Sequence, residues 1–216
     1  MKKFLLILLA VALLAVYFFR DVICEIYDDI TGQIVKPVIY LYPEEETEVS
    51  VKVDYAGELT CVYPEYGQGW NVTARPDGTI FDEKGQEYYC LYWEGSELDC
   101  WDMDRGFCVP GSDTAAFLED ALQKLGLSRR EANEFIIYWL PRMEANPYNL
   151  ISFQFERYTD AAKLDISPAP DTLIRVFMIY KSLDKPVDIE PQTLTAPERT
   201  GFTVVEWGGS EVFKNS

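Results

Sequence analysis

The chain has 216 residues, 48% of them hydrophobic and 25% charged, enough to bury a core and too apolar for a disordered tail. Its net charge of −17 repels phosphate backbones and anionic headgroups, so nucleic acid is excluded as a partner; colloidal solubility is the simplest reason for that charge, ahead of specific cation binding. It contains no histidine, which removes Ser-His-Asp and Cys-His nucleophile activation and histidine-ligated zinc.

Two lysines at the start are followed by sixteen uninterrupted apolar residues, Phe4 to Phe19. This is the basic and apolar pattern of an export signal. As a helix the run rises about 24 Å, and Val22, Ile23 and a snorkelling Arg20 extend it toward the roughly 30 Å hydrocarbon core. Ala10-Val11-Ala12 comes too early for cleavage, and Ala15 is followed by Val-Tyr-Phe-Phe. Residues 1–23 therefore read as an uncleaved anchor, with a cleaved signal peptide and a secreted protein as the alternative. Lys2 and Lys3 favour a cytoplasmic N-terminus, which leaves the rest of the chain outside. Residues 24–35 read as a tether.

The exported part opens on Lys36-Pro-Val-Ile-Tyr-Leu-Tyr-Pro43, five apolar or aromatic residues between prolines. With β-branched and aromatic residues at successive positions and no room for a helix, it reads as a strand buried on both faces. Glu48-Val-Ser-Val-Lys-Val-Asp-Tyr55 alternates and reads as a half-exposed strand. Further short strands are expected at 58–63, 69–74, 79–82 and 87–93, separated by the turn signals Arg-Pro-Asp-Gly and Glu-Lys-Gly. From Gly111 the period becomes helical. Phe117, Leu118, Ala121, Leu122 and Leu125 share one face with Gly126 as the stop, and Ser128-Arg-Arg-Glu131 is a capping box opening a second helix that ends at Pro141. Strand signals return at 149–158, 162–167, 172–183 and 201–208, with a proline-rich connection over 184–199 and a loose tail over 209–216. The expected fold is α+β: an antiparallel sandwich or meander with a central helical hairpin, forming one domain over 36–208 behind one N-terminal hydrophobic helix.

The segments KPVIYLYP, GWNVTARPDGTI, CLYWEG, NEFIIYWLP and VVEWGG resemble those of a family of exported bacterial proteins to which no activity is assigned. The resemblance covers about residues 36–209. It implies a single domain and transfers no cofactor or catalytic residue.

Several constellations invite a chemical reading. Glu94 and Glu206 each stand beside a tryptophan at a strand end; across one cleft they would make the acid/base pair of a glycoside-type hydrolase in the cell envelope. A strand-end carboxylate next to a packing aromatic is the plainer explanation. Asp99, Asp102 and Asp104 offer oxygen ligands suited to Ca²⁺, but without the spacing of a calcium-binding loop they read first as a solvated acidic loop. Trp70, Trp93 and Trp101 are the candidates for exposed indoles that stack on a ligand, Trp70 and Trp101 above all because they lie beside loops. Cys61, Cys90, Cys100 and Cys108 are an even set suited to an oxidising compartment, with Cys90–Cys100 and Cys61–Cys108 the preferred pairing and reduced thiols the alternative. The functional expectation is a membrane-anchored extracytoplasmic domain that binds or scaffolds a cell-surface glycan or protein, without catalysis and without a cofactor.

Overall fold

The computed structural model describes residues 35–96 and 101–212. The N-terminal apolar run, Asp99 and Cys100 lie outside them. Along the described chain the elements are β1 (Val35–Tyr42), β2 (Thr47–Tyr55), β3 (Leu59–Tyr63), β4 (Trp70–Ala74), β5 (Ile80–Asp82), β6 (Glu87–Tyr88), β7 (Leu91–Gly95), β8 (Phe107–Pro110), α1 (Thr114–Lys124), α2 (Arg129–Met143), β9 (Tyr148–Phe153), α3 (Glu156–Ala161), β10 (Ala162–Ser167), β11 (Thr172–Leu183) and β12 (Thr203–Glu211). They build a seven-stranded sheet in the order β3-β7-β1-β12-β11-β9-β8 and a five-stranded sheet in the order β10-β2-β4-β5-β6. No helix among the described residues is long and apolar enough to cross a membrane.

The large sheet is the middle of three layers. On one face the α1–α2 hairpin packs Leu118, Ala121, Leu122, Phe135 and Trp139 onto Val38, Tyr40, Ile174, Val176, Val205 and Trp207. On the other, Ile39, Leu41, Leu91, Trp93, Phe177 and Val204 meet Val49, Val51, Trp70, Val72 and Ile80 of the small sheet. A strand inside such a sheet has no solvent face, which is why β1 is apolar at consecutive positions and Val38 to Leu41 are all buried. Fully burying a side chain of this size stabilises by about 1.5–3 kcal/mol. In β2 the alternation survives, with Val49, Val51 and Val53 inward and the residues between them exposed, because the outer face of the small sheet is wet.

Gly208 and Gly209 of β12 have a packing reason. A Cβ on Gly209 would stand 2.5 Å from the Met178 carbonyl oxygen and 2.6 Å from the Trp139 ring, so a glycine is what lets that indole lie against the strand.

The helical hairpin forms as its capping box predicts: Ser128 Oγ accepts from the Glu131 N–H, and the Glu131 carboxylate accepts from the Ser128 N–H at 2.7 Å. Four expectations are corrected. The large sheet is mixed, because β11 and β12 run parallel with Arg175 opposite Glu206; the long 184–202 connection between them allows this where a short hairpin loop would not. Pro141 sits inside α2, which continues to Met143; a proline in the last turn gives up one hydrogen bond, and the Glu144 N–H to Leu140 carbonyl bond closes the helix beyond it. Residues 156–161 are a helix rather than the end of a strand. Gly209 to Glu211 are not a loose tail but the end of β12, paired with β11 through Glu211.

Candidate functional site

Four of the five tryptophans lie in the core of this protein, and Trp101 is half-buried against it. Trp70, Trp93, Trp139 and Trp207 are all at most 2% exposed. Trp70 Nε1 donates to the Pro64 carbonyl at 3.0 Å, and Trp101 stacks on Phe177 at 5.0 Å between ring centres. The expectation of exposed, stacking indoles is therefore overturned at Trp70 and Trp93, whereas Trp101 keeps part of its surface open. Alternation explains it: Trp70 shares its face of β4 with Val72 and Ala74, and that face is the one covered by the large sheet.

Glu94 and Glu206 do not share a cleft. Glu206 is opposite Ile39, which is opposite Leu91, so its side chain lies with Leu91 and Trp93 between the two sheets, whereas Glu94 falls on the helix side of β7 with Tyr92. Glu206 is fully buried and its carboxylate is used up structurally. Oε1 accepts from Trp93 Nε1 at 3.0 Å, Oε2 accepts from Arg175 Nε at 2.7 Å, and Arg175 Nη2 lies 2.6 Å from Oε2. Arg175 Nη1 donates to the Ala162 carbonyl, and the guanidinium lies over the Tyr158 ring at 4.6 Å. Burial works against the Arg175 charge, but the Glu206 carboxylate and Tyr158 together outweigh it and hold the guanidinium above its ordinary range. This is a buried ion pair that ties β7, β11, β12 and the start of β10 together. It is not an acid/base dyad.

Glu131 is likewise buried and satisfied, by the cap of α2 and by Arg199, which also donates to the Gly126 carbonyl and so pins the 184–202 connection to the hairpin. Asp102 closes a local turn by accepting from the Asp104 N–H at 2.8 Å, and its other oxygen lies 3.6 Å from Arg157. No group of three or more acidic or cysteine side chains among the described residues could hold a metal ion. Cys61, Cys90 and Cys108 are free thiols. Cys61 is on β3 and Cys108 on β8, the two edges of the large sheet. Six interstrand spacings of about 4.8 Å put them far beyond the reach of a disulfide. The pairing expected for them is corrected; the Cys90–Cys100 pairing falls on Cys100, outside the described residues.

What the fold does present is a groove on the small sheet, about 760 Å³, between the 64–70 loop and the 82–86 turn. It continues across the outer face of β2, β4 and β5 as a second hollow of about 590 Å³. Both walls are held from within. Tyr66 packs edge-on against Trp70, and its hydroxyl accepts from the Val53 N–H at 2.8 Å. Opposite, Asp82 Oδ1 accepts from the N–H groups of Lys84 and Gln86 at 2.9 and 2.8 Å, which fixes the turn. The Gln86 N–H holds this carboxyl below its ordinary range. Lys84 reaches across to Glu65 at 3.2 Å, a clasp between the two walls that raises the Lys84 ammonium's affinity for its proton. Gln68, Asn71, Asp82 and Gln86 line the hollow, with Tyr66 and Tyr88 at its sides. Such a lining offers amide donors, carboxylate acceptors and aromatic edges to a polar, hydroxyl-rich ligand.

The sequence reading missed these residues. The same alternation that buries Trp70 and Val72 turns Asn71 and Thr73 outward, so that signal was present; the approach of loop 64–70 to turn 82–86 was not.

Comparison with known proteins shows a family. Over 67 residues the chain is 54% identical to the "Uncharacterized protein in bglA 3'region" of Butyrivibrio fibrisolvens, covering 30% of this chain and 69% of that protein. The chain belongs to the family of that uncharacterised protein. No protein-family model matches the chain, and no solved structure matches it.

Proposed function

We propose that this protein is a membrane-anchored extracytoplasmic domain with a non-catalytic binding role, and that the groove between loop 64–70 and turn 82–86 holds its ligand, a cell-surface glycan. The observation that carries this reading is the groove itself. Its walls are fixed by their own hydrogen bonds, and Gln68 and Asn71 line it together with Asp82 and Gln86. A prearranged polar surface loses little ordering entropy on binding. Placement outside the membrane rests on the Phe4–Phe19 run and the two lysines before it.

A screen of glycans and cell-wall fragments against the full-length protein tests the binding role. Asn71→Ala and Gln86→Ala should weaken the bound ligand by about tenfold each, the worth of one hydrogen bond to a buried polar partner, without lowering thermal stability. A glycan that binds both variants as tightly as the wild type would remove it from this groove. The exposed Cys61 reports location. A membrane-impermeant maleimide should label it in intact cells, and labelling only after lysis would place the domain inside.

A further inference from the structure

A second cavity, about 250 Å³, opens between the end of β1, the 77–79 turn, the 87–89 segment and the start of α2. Its wall is aromatic: Tyr40, Tyr42, Tyr88 and Tyr89 all line it. Tyr40 and Tyr42 are parallel within 6° at 6.3 Å, and Tyr89, 54% exposed, stands 6.5 Å from Tyr40. The remaining lining residues are Asp77, Gly78, Thr79, Glu87 and Arg130. Asp77 and Glu87 line the cavity, and Glu134 stands behind it, accepting from the Tyr40 hydroxyl at 2.7 Å. Against these stands Arg130, which lines the cavity and lies 3.7 Å from Glu134. Arg199 lies 5.9 Å from the Tyr42 ring centre, but its charge is taken up by Glu131.

We propose that this cavity is a binding site for an organic ammonium group. Tyrosine faces carry negative potential and attract cations most strongly where water is partly excluded. The cavity falls below the roughly 300 Å³ at which pockets for whole small molecules begin, so it suits a head group or a side chain rather than an entire ligand. The wall is built in advance. Gly78 has φ +87°, and a Cβ there would stand 2.7 Å from Tyr42 Cε1, so the turn closes directly onto that ring. Asp77 accepts from the Thr79 N–H at 2.9 Å, which fixes its carboxylate at the rim and keeps it ionised. The protein's charge of −17 raises the local concentration of any cation around the site. The proposal stands apart from the glycan groove, with which it shares only Tyr88.

The test is a titration of the full-length protein in maltoside micelles with choline chloride, n-butylammonium chloride and the neutral choline analogue 3,3-dimethylbutan-1-ol, followed by NMR of the tyrosine rings. Both cations should saturate and the alcohol should not; the tighter of the two cations distinguishes a methylated head from a primary amine. Tyr89→Ala should raise Kd about five- to thirtyfold, the worth of one tyrosine face, while Tyr89→Phe, which keeps the ring, leaves it within about twofold. Asp77→Asn preserves the turn, because an asparagine oxygen accepts the same N–H, yet should weaken binding by about threefold or more by removing the charge. Arg130→Gln should tighten it. No saturation by about 100 mM, equal binding of the neutral alcohol, or unchanged affinity in both Tyr89→Ala and Asp77→Asn would overturn the proposal.

Discussion

Replacing Glu206 by glutamine changes one oxygen for an amide group and leaves the shape of the core intact. The site makes this small change severe. Arg175 keeps its charge with only 6% of its side chain exposed, and Glu206 is wholly enclosed. A glutamine can offer its oxygen either to Arg175 Nε or to Trp93 Nε1. In either orientation its NH₂ group faces another donor. The variant therefore holds a buried guanidinium without a counter-charge and one donor–donor clash. Removing one partner of a buried pair costs about 3–5 kcal/mol, a large part of the roughly 5–15 kcal/mol that holds a domain together. At about 2–4 °C per kcal/mol for a chain of this size, the melting temperature should fall by about 6–20 °C. Urea unfolding followed by tryptophan fluorescence measures the difference directly. The double variant Arg175→Met, Glu206→Met should recover part of the loss: an apolar pair of similar volume carries no buried charge, although Trp93 Nε1 and the Ala162 carbonyl lose their partners. A single-variant loss under about 1 kcal/mol, or a double variant no better than the single, would refute the account of Glu206 as half of a structural ion pair.

Three other outcomes follow from the packing. Ile39→Asp puts an unpaired carboxylate between the two sheets at a position with no exposure, and should cost several kcal/mol; a melting temperature within about 2 °C of wild type would contradict the three-layer core. Gly209→Ala forces the Trp139 ring or the β11 backbone to move and should cost about 1–3 kcal/mol, whereas Gly85→Ala, which meets no neighbour although its φ of +78° adds local strain, should cost less. Burial, with the Glu134 carboxylate nearby, pushes the Cys90 thiol up to about 11 from 9.0, so at pH 8 iodoacetamide should alkylate it about a hundredfold more slowly than a thiol of ordinary pKa. Below pH 9 folded and unfolded chains both hold that proton; between 9 and about 11 the unfolded chain gives it up first, so stability falls as pH rises through this window and Cys90→Ala should flatten the fall.

Strand and helix positions were legible in the sequence where a single local rule governs them. The burial of KPVIYLYP follows from apolar residues on both faces, and the capping box at Ser128 forms because its two partners are three residues apart in the chain. Alternation in Trp70-Asn-Val-Thr-Ala74 fixed which side chains point together. It could not say which of the two faces is covered, because that depends on a partner sheet many residues away. Hence local alternation leaves open the side of Trp70, which the structure buries. The same limit applies to charge. Glu206 beside Trp207 looks like a strand-end carboxylate, and nothing within ten residues shows that Arg175 will stand opposite it on a parallel neighbour. Cys61 and Cys108 looked like partners by number and compartment, while the order of seven strands sends them to opposite edges. Periodicity, caps and turn residues act within a few positions and are written in the chain. Parallel pairing, the covering of a face, the neutralising of a buried charge and the meeting of two loops around a groove are decided by long-range contacts, which exist only once the layers have packed.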